Sequence, residues 1–95
     1  MALLPIRSRI LQYLSTVEEA NISQVQKTIE PEYGGERQFT WKALSNHLMN
    51  LKENELVEEI GYEICGENLE ISYAITAYGR NTVTKYLSKR VAGQT

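Results

Sequence analysis

The fold is decided by residues 40–76, which read TWKALSNHLMNLKENELVEEIGYEICGENLEISYAIT. Thr40 suits the N-cap of a helix, and the apolar residues after it recur at spacings of three and four, which predicts a helix over about 40–54. Its predicted buried face consists of Trp41, Leu44, Leu48 and Leu51. Between 56 and 75, apolar and polar residues alternate on both sides of Gly66-Glu67-Asn68, as in a β-hairpin. The stretch therefore predicts a helix that leads directly into a hairpin.

The flanking sequence predicts three more helices. Pro5 suits the first turn of a helix over about 5–16. Asn21 and Gln24 resemble a capping box for a short helix over about 22–30, which Pro31 is expected to stop before a loop. Thr76 is a good N-cap for a last helix over 77–91. The whole chain, 1–95, is predicted to be one α+β domain, mostly α, with three helices, a hairpin and a C-terminal helix.

The composition is that of a folded protein, with 42% hydrophobic and 23% charged residues. The chain has one cysteine, one histidine and no aspartate, which argues against a metal site and excludes an internal disulfide. No cofactor is expected. The first residues, MALLPIRSRILQYL, carry two arginines where a signal peptide would be apolar, so the expected location is cytoplasmic.

The charges are divided along the chain, although the formal net charge is only −2. Residues 37–52 contain Arg37, Lys42 and Lys52 and no acid. Residues 53–79 contain seven glutamates and no lysine or arginine, and residues 80–95 contain four basic residues and no acid. A small negative total therefore does not exclude a local basic surface for nucleic acid. Each block also has an ordinary interpretation as a solvated face.

Two sequence patterns carry a resemblance to a known class of regulator. Ser45-Asn-His-Leu48, followed by Leu51 and Leu56-Val57, resembles the recognition helix and wing entry of ArsR-like regulators. Tyr73-Ala-Ile-Thr76, followed by Gly79-Arg80, is similar to the exit from the wing in MarR-, PadR- and ArsR-type proteins. Over residues 6–90, this resemblance implies a winged helix-turn-helix transcriptional regulator that binds double-stranded DNA.

The polar face of the predicted third helix fits that role, since short polar side chains can read base edges in the major groove. The candidate DNA-binding residues are Arg37, Thr40, Lys42, Ser45, Asn46, Asn50 and Lys52. Asparagine can pair with adenine, and the basic residues can contact phosphates. The hairpin departs from the pattern because Glu63, Glu67 and Glu70 would be repelled by phosphate, so its tip is expected to avoid the DNA backbone or to face another protein.

The C-terminal helix is the candidate dimer interface, because helices in this position pair between copies in related regulators. The proposed seam is Val83, Tyr86, Leu87 and Val91. The alternative is that these residues close the core of the monomer. Cys65 offers a minor possibility, a disulfide between two copies.

The preferred hypothesis is a homodimeric, sequence-specific DNA-binding transcriptional regulator without catalytic activity. No arrangement of nucleophile and base suggests an enzyme. The alternative function is a winged-helix protein-interaction module that docks a basic partner through the acidic hairpin 56–75.

Overall fold

The computed structural model describes residues 5–37 and 39–88. The helices are α1 (Ile6–Leu14), α2 (Ile22–Tyr33), α3 (Trp41–Glu53) and α4 (Ala77–Thr82), and π-helical turns over Val83–Ser88 continue α4. The strands are β1 (Ala20–Asn21), β2 (Val57–Cys65) and β3 (Asn68–Ile75). The predicted fold class and the predicted order of three helices, hairpin and C-terminal helix are confirmed.

The sheet is antiparallel, in the order β1-β3-β2. The hairpin turns at Gly66, whose φ of 65° is a conformation that glycine adopts without strain. The pairing between β2 and β3 shifts register between Glu59 and Gly61, which leaves a bulge at Ile60. The two-residue strand β1 pairs Ala20 with Tyr73 and so joins the base of the hairpin to the start of α2.

The core lies between the first three helices and the base of the sheet. Its buried hydrophobic residues are Ile10, Leu11, Leu14, Ala20, Ile22, Val25, Ile29, Tyr33, Leu44, Leu48, Leu51, Val57, Tyr73 and Val83. Each helix contributes the stripe at spacings of three and four that faces its neighbours. The capping box at the start of α2 forms as predicted, because Asn21 Oδ1 accepts from Gln24 N at 2.9 Å and Gln24 Oε1 accepts from Asn21 N at 2.9 Å.

Pro31 does not stop α2, contrary to the prediction. The helix continues to Tyr33, whose side chain is only 2% exposed. Near the end of the helix a proline removes one backbone hydrogen bond, and its fixed φ is compatible with helical geometry. Burial of the Tyr33 ring beyond Pro31 outweighs that loss.

The prediction that Trp41 belongs to the buried face of α3 is also wrong, since 44% of this residue is exposed. Helical side chains lean toward the N-terminus of their helix. Trp41 is the first residue of α3, and Phe39, two residues earlier, is the aromatic side chain that packs against the core at this end of the helix.

Val83 lies in the core of the monomer, at 4% exposure. A side chain that is buried within its own chain is not available to contact a second copy. Val83 therefore closes the core of the monomer, which is the alternative that the sequence left open. Tyr86 is 62% exposed. Val91 and the end of the predicted helix lie outside the described residues, and the side chain of Leu87 is not described.

Candidate nucleic-acid interface

The start and the rotation of α3 are both fixed by local contacts. Thr40 Oγ1 accepts a hydrogen bond from Ala43 N at 3.0 Å, which is the predicted N-cap. Leu44, Leu48 and Leu51 are at most 2% exposed and hold one side of the helix against the core. The opposite side therefore has a defined direction toward solvent.

The outward face of α3 is mixed in chemistry. Lys42, Asn46 and Glu53 are exposed, and Met49 is 53% exposed. Because an α-helix turns about 100° per residue, Lys42, Asn46 and Met49 lie within about 60° of one another. A cation, an amide and an apolar group thus project from two successive turns of one helix.

Three of the other candidate residues are already engaged within the chain. Asn50 is half-buried, and its Oδ1 accepts from Asn54 Nδ2 at 3.0 Å. Lys52 Nζ lies 3.2 Å from a carboxylate oxygen of Glu59 on β2. Thr40 uses its hydroxyl oxygen for the helix cap. Their side chains would have to share or exchange these partners in order to contact DNA.

Ser45 is half-buried, whereas Arg37 is exposed in the segment between α2 and α3. Arg37 lies four positions before the first residue of α3. The structure therefore leaves Lys42, Asn46 and Arg37 as the exposed polar members of the predicted set that no internal contact among the described residues occupies.

Two large apolar side chains of α3 are exposed, Trp41 at the first position of the helix and Met49 on the outward face. The sequence pattern placed Trp41 in the core and assigned no role to Met49. Apolar groups can contact the methyl group of thymine or the sugar backbone. The position of Met49 in the helical repeat, opposite Leu44 and Leu51, was the available signal.

His47 lies beside the outward face and contacts α1. Arg7 Nε donates a hydrogen bond to His47 Nδ1 at 3.3 Å. Burial lowers the pKa of His47 from 6.5, and the positive charge of Arg7 lowers it further. The imidazole is thus held in its neutral form, as a structural contact between α1 and α3.

The hairpin carries a concentrated negative charge. Glu63 and Glu70 are directly opposite one another in the β2–β3 pairing, and Glu70 accepts a hydrogen bond from Ser23 on α2. Glu67 is exposed in the turn. Like charges in this arrangement repel each other and would repel phosphate, so the hairpin lacks the electrostatics of a phosphate-binding wing.

A shallow apolar depression of about 220 Å³ lies between α1, the end of α3 and the C-terminal helix. Leu11, Leu51, Leu56 and Tyr86 contribute its apolar lining, with Arg7 at its edge. This places the exposed ring of Tyr86 next to apolar groups of α1.

The described residues contain no cluster of three or more His, Cys, Asp or Glu side chains able to hold a metal ion. Over the same residues, no helix is long and apolar enough to cross a membrane.

No protein-family model and no curated protein matches the sequence. Solved structures do match. A transcriptional regulator homologue from Pyrococcus horikoshii OT3 is 26% identical, with a TM-score of 0.68, and the match covers 93% of this chain and 78% of that one. The chain has a winged helix-turn-helix fold. In winged-helix proteins the helix before the wing is the one used for recognition; α3 occupies that position here, and the β2–β3 hairpin occupies the position of the wing.

Two further winged-helix neighbours have the same fold. RosR from H. salinarum is 23% identical, with a TM-score of 0.71 and coverage of 96% of this chain and 76% of that one. The reduced form of the transcriptional regulator YodB from B. subtilis is 20% identical, with a TM-score of 0.62 and coverage of 90% and 74%. A disulfide between two copies through Cys65, the single cysteine, has no support in these comparisons.

Proposed function

We propose that this winged-helix protein is a sequence-specific DNA-binding transcriptional regulator, in which α3 enters the major groove of duplex DNA. The observation that carries the proposal is the outward face of α3. Lys42 and Asn46 are exposed on the helix that the fold uses for recognition, while three buried leucines fix the orientation of that helix.

The chemistry of this face fits base reading. The Asn46 amide can donate and accept at once, as adenine recognition requires, and Lys42 can contact guanine or a phosphate. Arg37 adds a positive charge next to the N-terminus of α3. The P. horikoshii neighbour is a transcriptional regulator homologue, which favours regulation over catalysis.

The test begins with selection of duplexes from a random pool, followed by fluorescence anisotropy on the selected sequence. Lys42→Ala should weaken binding. It should also make the plot of log affinity against log salt concentration less steep, by the amount expected for the loss of about one phosphate contact. Asn46→Ala should weaken binding to the selected duplex and reduce discrimination against a single-base variant, by about 1–3 kcal/mol for a bidentate contact.

Lys27→Ala is the matched control, because Lys27 is exposed on α2, on the side away from its buried stripe. It removes the same charge as Lys42→Ala. If all three variants bind the selected duplex as tightly as the wild type, α3 does not read DNA in this protein.

We also propose that the regulator acts as a homodimer, whose two recognition helices contact half-sites about one helical turn apart. Tyr86 supports this, since its ring is 62% exposed beside the apolar depression on α1. Analytical ultracentrifugation should show a dimer that Tyr86→Ser shifts toward monomer. The equally exposed Tyr78, at 61%, gives the control variant Tyr78→Ser.

A further inference from the structure

The inner face of the wing extends beyond the hydrophobic core. Tyr62 pairs with Ile71, and Ile64 pairs with Leu69, so these four side chains lie on one face of the hairpin. We call them the wing face. Tyr62, Ile64 and Leu69 are 70%, 75% and 51% exposed.

The wing face is a continuous apolar surface rather than scattered exposed residues. On β3 it follows the same alternation as Tyr73 and Ile75, which lie at the core, and it runs outward through Ile71 to Leu69. A depression of about 350 Å³ is lined by Glu59, Gly61, Tyr62, Leu69 and Ile71. Contiguous exposed apolar surface of this kind marks an interaction site.

The charge around the wing face restricts what can bind there. Glu59 is paired with Tyr73 and so lies on the same face as Tyr62, and Glu67 is exposed in the turn at the far end of the hairpin. Glu63 and Glu70 add negative charge on the opposite face of the same hairpin, and the sequence from 53 to 79 has no lysine or arginine. Phosphate groups and the wing of a second copy would both be repelled. A partner with basic residues around an apolar stripe would be attracted.

We propose that the wing face docks a basic amphipathic helix of a second protein, whose apolar stripe covers Tyr62, Ile64 and Leu69 while its lysines and arginines reach Glu59 and Glu67 at the two ends of the face. This surface is separate from α3, so the proposal does not depend on the proposed DNA binding.

The geometry favours contact with the face of the hairpin over addition of a strand to its edge. The bulge at Ile60 interrupts the regular pairing of β2, and bulges of this kind protect an edge strand from further strand pairing. A helix instead binds through its own apolar stripe. Tyr62 is the predicted anchor, because tyrosine contributes a large contact area at low entropic cost.

The experiment uses a synthetic helical peptide with leucines along one side and lysines flanking them. The control peptide carries glutamate in place of each lysine. Binding is measured by fluorescence anisotropy, and the site is mapped by backbone amide NMR shifts of the full chain. The basic peptide should shift residues 59–71 and leave α1 unperturbed, and the acidic peptide should not bind.

Two paired variants separate the apolar and charged contributions. Tyr62→Ser with Ile64→Ser should weaken binding of the basic peptide at least about tenfold, since two large apolar contacts are lost. Glu59→Lys with Glu67→Lys should also weaken it, because both carboxylates flank the wing face. Met49→Ser, which removes an exposed apolar side chain from α3, should leave peptide affinity unchanged. Thermal unfolding confirms that each variant is folded.

Four results would overturn the proposal. The first two are absence of peptide binding and NMR shifts that fall outside the hairpin. The third is a Tyr62→Ser/Ile64→Ser variant that binds the peptide as tightly as the wild type does. The fourth is loss of DNA affinity in that variant, which would assign the face to DNA. Sedimentation adds a fifth, a wild-type dimer that this variant dissociates, which would identify the occupant as a second copy. Failure of the proposed DNA binding would instead appear with the α3 variants alone.

Discussion

Arg7 on α1 donates from Nε to Nδ1 of His47 on α3, across 3.3 Å. The contact joins α3 to the first helix of the chain and requires an unprotonated Nδ1. A protonated imidazole would lose this acceptor and would place two positive charges side by side. The orientation of α3 is therefore linked to the protonation state of His47.

This linkage predicts a pH dependence of stability. Burial and Arg7 lower the pKa of His47 in the folded state below 6.5, so the unfolded chain binds the proton more readily. The stability present above pH 6.5 should be lost progressively as the pH falls from 6.5 toward the folded pKa. Urea unfolding measured between pH 8 and pH 5 gives this slope.

His47→Asn is the matched variant, because its side-chain oxygen can accept from Arg7 without titrating in this range. Its free energy of unfolding should fall less than that of the wild type over the same interval. If the free energy of unfolding fell equally with pH in the two proteins, His47 would not be the group responsible for the pH dependence of stability.

Gly79 marks the closest approach between the C-terminal helix and the entry to the wing. A Cβ at this position would lie 2.0 Å from Leu56 O and 2.8 Å from Ile75 Cγ1. Thr76 N already donates to Leu56 O at 3.0 Å, so the two segments are tied together there. Gly79→Ala should therefore destabilise the protein by about 1–3 kcal/mol or more.

Gly35→Ala provides the control for this prediction, since an added Cβ there meets no atom within 4 Å. Its effect on the free energy of unfolding should stay within about 0.5 kcal/mol. Thermal and urea unfolding of both variants make the comparison. Equal stability of the two would contradict the close approach at Gly79.

Trp41 and Leu44 should separate stability from DNA binding. Leu44 is fully buried, so Leu44→Ala should lower the free energy of unfolding by about 2–5 kcal/mol. Trp41 is 44% exposed at the first position of α3, so Trp41→Ala should cost less stability than Leu44→Ala. Because Lys42 follows it in the same turn, Trp41→Ala should also weaken binding to the selected duplex. If Trp41→Ala lowered the free energy of unfolding more than Leu44→Ala does, the indole would have to be part of the core.

The sequence predicted the parts of the fold that depend on local chemistry. The caps at Asn21 and Thr40 mark the beginnings of two helices, and the alternation around Gly66 defines the hairpin. It missed β1, because two residues are too few to produce a pattern, and it misplaced Trp41, because spacing does not reveal where the core ends.

The candidate site was less predictable because several of its side chains have partners on distant elements. The Lys52 contact depends on how α3 meets β2, and the His47 contact depends on how α1 crosses α3. Neither follows from periodicity. The sequence shows that residues 37–52 carry positive charge. Only the structure shows which of these basic side chains is already paired within the chain and which is exposed to a ligand.

The ion pair between Lys52 and Glu59 gives the last prediction. Both side chains are partly exposed, with Nζ and Oε2 3.2 Å apart, so the pair itself contributes little stability. Glu59→Gln should release Lys52 to contact phosphate, which would raise DNA affinity and steepen its salt dependence by about 0.9 in log–log slope. Glu58→Gln removes the same charge from an exposed neighbour that is not paired with Lys52. Equal salt slopes for the two variants in anisotropy titrations would mean that net charge, rather than the release of Lys52, determines the effect.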